Sequence, residues 1–197
     1  LLANIKRINA VINELNNRRF PYVVLLEFEK TARAVSTYAS TSIEGNPLPL
    51  TEVKKILKSK PVHINKFDTD VLRDSEREVL NYNKALQDLN ENLKKGQVRL
   101  SLDLILRIQK QITEGLLPKF ESGKLRGKPV VVNDPRTRKV KYLPPDAKDV
   151  KTLAENLIEF INNNRNAIDP LILAGIFHKQ TVIIHPFMDG NGRTTRL

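Results

Sequence analysis

The chain has 197 residues, of which 40% are hydrophobic, and it carries a formal net charge of +11. It has no cysteine, which excludes a disulfide framework and a thiolate zinc site. No apolar run approaches the roughly 20 residues that a membrane-spanning helix needs, and the N-terminus lacks the apolar stretch of a signal peptide. We therefore expect a soluble, cytoplasmic protein with enough apolar residues to bury a core.

Apolar residues recur along most of the chain at the spacing typical of helices. A soft boundary near Gly96 separates an N-terminal helical lobe, residues 1–96, from a second segment, residues 97–197. In chain order, we predict helices at residues 5–15, at 24–40, after a cap at Thr51, at 70–94, at 102–112, at 150–162 and at 170–184.

One segment departs from the helical period. Residues 129–132 and 139–142 are short β-prone runs, and residues 133–137 between them are rich in turn-forming types. This pattern is typical of a β-hairpin. The predicted fold class is therefore all-α, a helical bundle with one small β-hairpin.

Residues 185–196 combine several groups that bind anions. Gly190, Asn191 and Gly192 all tolerate positive φ, so a loop there could turn successive backbone N–H groups toward one anion. Thr194 has the character of a helix start, where unpaired N–H groups also favour phosphate. The glycine-rich stretch therefore predicts a phosphate nest.

Charged residues flank this nest on both sides. Arg193 and Arg196 are three positions apart, so we expect them on one side of the first helical turn, where two guanidinium groups suit a polyphosphate. Asp189 together with phosphate oxygens could hold Mg²⁺. His185, with an unperturbed pKa of about 6.5, suits a general base. Each residue alone is more often structural, but their conjunction favours phosphoryl or nucleotidyl transfer to a hydroxyl.

The same twelve residues resemble the signature of the Fic family, His-x-Phe-x-Asp/Glu-Gly-Asn-Gly-Arg-x-x-Arg, at every defined position. Residues 178–184, 123–126 and 142–145 also resemble Fic-core segments, so the resemblance covers roughly residues 100–197. It implies a Fic-type helical bundle whose hairpin is a flap and whose catalytic core is residues 97–197. Because a helix starting near Thr194 should run several more turns, we expect the sequence to be a fragment truncated at its C-terminus.

The resemblance implies a protein adenylyltransferase, which transfers AMP from ATP to a Ser, Thr or Tyr hydroxyl of a target protein. His185 would deprotonate that hydroxyl, and Asp189 would hold Mg²⁺ between the α- and β-phosphates. Phe187 would point into the core and fix the loop. The target protein would dock on the flap, residues 129–142.

The remaining signature residues would bind ATP. The resemblance implies that Gly190, Asn191 and Gly192 form the anion hole. Arg193 would bind the β-phosphate and Arg196 the γ-phosphate.

A second motif lies upstream, in the run Ser40-Thr41-Ser42-Ile43-Glu44-Gly45-Asn46. It resembles the family's inhibitory pattern, Ser/Thr-x-x-x-Glu-Gly/Asn, and implies the subclass with an N-terminal inhibitory helix. Glu44 would then pair with Arg196 and compete with the γ-phosphate for it. As an alternative, Glu44 would position a water that removes AMP from modified targets, as in a de-AMPylating or bifunctional enzyme.

Two other classes of function remain open from the sequence. The charge of +11 also fits a basic regulatory module that binds nucleic acid, although no motif indicates one. A Fic-fold protein could also bind nucleotide without turnover, which the intact His185 argues against. A P-loop is excluded as far as the motif allows, because Gly123-Lys124 lacks the preceding glycine at the required spacing. Assembly into a homo-oligomer is left open.

Overall fold

The computed structural model describes residues 1–58, 70–96, 98–133, 137 and 139–197, with the side chains of residues 70–72 left out. The described residues form eight helices and one two-stranded sheet. They fall into two compact units, Leu1–Arg33 and Ala34–Leu197. The predicted all-α fold class with a small hairpin is confirmed.

The first unit is built from two long helices. It contains α1, Leu2–Asn17, and the beginning of α2, Tyr22–Ile43, which continues into the second unit. Both helices were predicted from their apolar periodicity, and both extend a few residues beyond the predicted limits. α1 ends where Arg18 adopts an extended backbone conformation.

The second unit contains the end of α2 and six further helices. Two of them begin with a side-chain cap: Ser101 Oγ accepts from Leu104 N–H, and Asp169 Oδ1 accepts from Leu171 N–H ahead of Pro170. The helices are α3, Leu50–Lys58; α4, Asp70–Lys94; α5, Leu102–Ile112; α6, Val150–Asn164; α7, Pro170–Ile184; and α8, Asn191–Thr195.

Two predicted helix starts are wrong. Thr51 lies within the first turn of α3 and does not cap it, since the helix begins at Leu50. The last helix begins at Asn191 and not at Thr194. The reason is the conformation of Gly190, whose φ of 80° turns the chain so that its carbonyl already accepts from Thr194 N–H at 2.8 Å.

The hairpin is present and antiparallel. β1, Val132–Asn133, pairs with β2, Val140–Tyr142, so that Val132 faces Tyr142 and Asn133 faces Val140. The strands are shorter than the two predicted runs. The predicted turn at residues 133–137 falls largely outside the described residues, which include only its two ends.

Helix α5 is central to the core of the second unit. One buried cluster joins Ile108 and Ile112 of α5 to Ala85 of α4. Another joins Ile105 of α5 to Ile158 of α6 and Phe187. Because α5 also packs against α8, it connects the core directly to the motif at residues 185–196.

The predicted boundary at Gly96 lies inside the second compact unit, because α4 and α5 pack together on either side of it. The division into a lobe, residues 1–96, and a core, residues 97–197, stays a prediction. No helix in the described part of the chain combines the length and the apolarity that crossing a bilayer requires.

The core arrangement predicts a large cost for Ile112→Ala, because this side chain is fully buried in the α4–α5 cluster. We expect a loss of about 2–5 kcal/mol in the free energy of unfolding. Leu143→Ala is the control, since Leu143 is 66% exposed, and its cost should stay within about 0.5 kcal/mol. Urea unfolding measures both, and equal losses would contradict this description of the core.

Candidate active site

His185 ends α7 in the left-handed backbone region, with φ 50° and ψ 61°. It is the only non-glycine residue with positive φ among those described. Its N–H donates to the carbonyl of Thr181 at 2.9 Å, which closes the last turn of the helix. This conformation is costly for a residue with a side chain, so the surrounding structure must hold it.

Arg126 supplies that support. Its Nε donates to the His185 carbonyl at 2.7 Å, and its backbone N–H donates to the Pro186 carbonyl at 2.8 Å. The same guanidinium donates to the carbonyls of Lys128 and Pro145, which lie at the two ends of the hairpin segment. Arg126 is 3% exposed, and sequence reasoning noted it only as part of residues 123–126. It ties the base of the hairpin to the backbone of His185.

The loop after His185 is fixed from inside. Phe187 is fully buried, as the Fic resemblance implies. The Asn191 side chain bonds to the Phe187 backbone in both directions: Oδ1 accepts from N–H at 2.9 Å and Nδ2 donates to the carbonyl at 2.8 Å. Asn191 can therefore serve an anion only through its backbone, because its amide is already used to close the loop.

Gln109 of α5 also holds the loop, and the sequence analysis did not identify it. This fully buried side chain donates to the Asp189 carbonyl at 3.0 Å and accepts from Gly123 N–H at 2.5 Å. One signal could have revealed it, since Gln109 is a polar residue on the apolar face that contains Ile105, Ile108 and Ile112.

The two glycines of the motif are required for different reasons. Gly190 has φ 80°, and a Cβ there would lie 3.1 Å from Thr113 Cγ2. Gly190 is the one residue of the three that adopts a positive φ, and Asn191 and Gly192 do not. A Cβ on Gly192 would instead lie 2.1 Å from Glu44 Oε1, so the close approach of that carboxylate requires glycine.

Arg193 and Arg196 pair with different carboxylates, and that they lie on one side of the turn stays a prediction. Arg193 Nη1 lies 2.5 Å from Glu78 Oε1 on α4, and its Nη2 lies 2.8 Å from Asp189 Oδ2. Arg196 is the C-terminal cap of α8, and its N–H donates to the Gly192 carbonyl at 3.2 Å.

Arg196 contacts both residues of the upstream motif. Its Nε donates to Ser40 Oγ at 2.8 Å, and its Nη2 donates to the Ser40 carbonyl at 3.0 Å. Nη2 also pairs with Glu44 Oε1 at 2.5 Å, across 152 positions of sequence. The structure therefore brings the two predicted motifs together at Arg196.

The electrostatic environment favours a neutral imidazole at His185. Burial lowers the pKa of His185 below its usual 6.5, and the charge of Arg126 acts in the same direction. The Val182 carbonyl, Asp189 and Glu44 oppose this shift without cancelling it. A neutral imidazole at pH 7 can accept a proton, which is what a general base requires.

Comparison with known proteins identifies the family. A model described as "Fic/DOC family" matches residues 99–197, which is half of the chain. The chain belongs to the Fic/DOC family. A solved Fic family protein from Desulfovibrio desulfuricans G20 has the same fold, with a TM-score of 0.74 and 25% identity over 98% of this chain and 55% of that one.

The curated relatives of this chain are longer proteins. This Fic chain is 27% identical over 212 residues to the protein adenylyltransferase Fic of Aedes aegypti, covering 100% of this chain and 40% of that protein. It is 33% identical over 162 residues to the protein adenylyltransferase fic-1 of Caenorhabditis briggsae, covering 81% of this chain and 29% of that protein. The chain thus spans less than half the length of both relatives.

The environment of His185 predicts a titration midpoint below 6.5, because burial and Arg126 both disfavour the imidazolium. NMR spectra recorded against pH measure it, with His185→Asn to assign the resonance. The unfolded chain then binds more protons than the folded chain below pH 6.5. Stability should therefore fall as the pH drops from 6.5 through the folded midpoint, and less so in His185→Asn. A midpoint at or above 6.5 would contradict the burial argument.

Proposed function

We propose that this Fic protein is a protein adenylyltransferase that transfers AMP from ATP to a Ser, Thr or Tyr hydroxyl of a target protein. The observation that carries the proposal is the complete signature, residues 185–196, which contains a histidine of lowered pKa and two arginines that each pair with a carboxylate. The names of the curated relatives, protein adenylyltransferases, support the same activity.

In the proposed reaction, neutral His185 accepts the proton of the target hydroxyl on its imidazole. The hydroxyl oxygen forms a bond to the α-phosphorus of ATP, and the bond from that phosphorus to the bridging oxygen breaks, so pyrophosphate leaves. The first-turn N–H groups of α8, from Asn191 and Gly192, lack helical acceptors and can stabilise the developing negative charge. Arg193 and Arg196 would bind the β- and γ-phosphates.

The exposed carboxylate of Asp189 is a suitable oxygen ligand for Mg²⁺. The Asp189 side chain is 49% exposed, and among the described residues its carboxylate is bound by Gly190 N–H and Arg193, both of which a metal ion could displace. The described residues contain no group of three or more acidic, histidine or cysteine side chains, and Mg²⁺ commonly binds through one carboxylate, waters and substrate phosphates. The ion would supply positive charge against the phosphates, and Asp189 is the residue that would hold it.

Glu44 is the proposed inhibitor of the same site. Its carboxylate pairs with Arg196 and lies close to Gly192. A γ-phosphate that needs Arg196 must displace it, so ATP would bind with its phosphates misaligned for in-line attack. The flap, residues 129–142, would hold the target through the backbone of a β-strand edge.

The first experiment supplies ATP labelled at either the α- or the γ-phosphate to the Glu44→Gly variant. We expect protein labelling from the α-label alone, because AMP keeps only that phosphate. His185→Asn is the matched control, since asparagine tolerates left-handed backbone, and it should lose labelling by at least about a hundredfold. Labelling from the γ-label alone would identify a kinase and overturn the proposal.

The second experiment compares auto-modification of the wild type with that of Glu44→Gly. We expect at least about a tenfold increase, because removing the carboxylate frees Arg196 for the γ-phosphate. Glu114→Gly is the matched control, because Glu114 is an exposed acidic residue that also follows a helix end. Equal labelling of the wild type and Glu44→Gly would remove the inhibitory assignment. Release of AMP from modified protein by the wild type alone would favour the de-AMPylating alternative.

A further inference from the structure

Glu78 is an acidic residue outside both motifs that pairs with one of the two motif arginines, Arg193. It lies on α4, 115 positions before Arg193 in the sequence, and its Oε1 is 2.5 Å from Arg193 Nη1. Its side chain is 14% exposed, and that of Arg193 is 5% exposed. The pair is thus largely shielded from water, and a charge interaction is stronger in such a buried environment than at the surface.

The two sides of the Arg193 guanidinium have different partners. Nη1 is occupied by Glu78, while Nη2 is paired with the exposed carboxylate of Asp189. Nε is buried and has no hydrogen-bond acceptor among the described residues. The N–H groups of Nε and Nη2 point in the same direction and form the edge with which arginine binds two phosphate oxygens. Glu78 therefore holds the far end of the group, and a ligand that displaces the exposed Asp189 carboxylate could bind this edge.

Glu78 is itself held in place by Asn46. The Asn46 Nδ2 donates to Glu78 Oε2 at 2.7 Å and to the Ser75 carbonyl at 2.9 Å. The Asn46 Oδ1 accepts from Leu48 N–H at 3.1 Å, which fixes the orientation of the amide. Both carboxylate oxygens of Glu78 are therefore bonded, and its position is determined before any ligand binds.

Burial distinguishes Glu78 from Glu44. The Glu44 side chain is 32% exposed and that of Arg196 is 18% exposed, so water can solvate both when a phosphate separates them. If a phosphate displaced Glu78, a carboxylate that is 14% exposed would lose its charged partner. Leaving a buried charge without its partner is strongly unfavourable. Glu78 should therefore remain on Arg193 while the ligand takes the other edge.

We propose that Glu78 is a positioning residue, which orients Arg193 for the β-phosphate of the nucleotide and is itself oriented by Asn46. The inference rests on the proposed function, because it assumes that the motif binds the diphosphate group of a nucleotide. It assigns opposite effects to two carboxylates that each pair with a motif arginine: Glu44 opposes phosphate binding, and Glu78 supports it.

The test measures binding of ADP and of AMP by calorimetry in the Glu44→Gly background. We expect Glu78→Gln to weaken ADP binding at least about tenfold, because the neutral amide holds the guanidinium less firmly. AMP has no β-phosphate, so its affinity should change by less than about twofold, which a general structural defect would not reproduce. Asn46→Ala should weaken ADP binding in the same direction but less.

Glu91→Gln is the matched control, because Glu91 is an exposed glutamate on the same helix, and we expect no change. Unchanged or tighter ADP binding in Glu78→Gln would overturn the inference, and so would equal losses for ADP and AMP. Transfer from α-labelled ATP by the Glu44→Gly parent is measured alongside. If the parent binds ADP without transferring AMP, the proposed function fails while the ADP series still decides the role of Glu78. If the parent does not bind ADP, both proposals fail.

Discussion

The geometry of the active site depends on the left-handed turn at His185. This turn ends α7, directs the chain into the loop that contains Phe187, and leads to the start of α8. A histidine does not hold such a conformation unaided, and the bonds from Arg126 to the carbonyls around it provide the compensation. Since the same guanidinium binds both ends of the hairpin segment, the hairpin and the backbone of His185 share one support.

Much of the architecture could be predicted because it is encoded locally. Helices α4, α5 and α7 have clear apolar stripes or caps, and the predicted limits match the observed ones closely. The start of α8 was missed because it depends on the single backbone angle of Gly190, and glycine permits several values. The side-chain role of Asn191 was missed because its partner is backbone, which sequence spacing does not identify.

The contacts of the candidate site could be predicted only where the family resemblance indicated which residues pair. Glu44 and Arg196 were expected to meet because the two motifs have that relation in the family, not because local rules join residues so far apart. Glu78 and Gln109 belong to no recognised motif, and their bonds to Arg193 and to the Asp189 carbonyl exist only in the folded chain. Pairings of this kind depend on how helices pack, which a single sequence does not specify.

Glu44 and Asn46 lie on one short turn, although in the proposed scheme Glu44 blocks Arg196 while Asn46 holds the Glu78 carboxylate that orients Arg193. Hydrogen bonds from Glu44 N–H and Asn46 N–H to the Thr41 carbonyl fasten this turn to the end of α2. If an activating partner pulled α2 away, it would free Arg196 but would also withdraw the amide that steadies Glu78. Such activation would free one motif arginine, Arg196, while loosening the carboxylate that orients the other, Arg193. If Glu44 inhibits as proposed, an effective activator would instead neutralise or rotate its carboxylate alone and leave the backbone of the turn undisturbed.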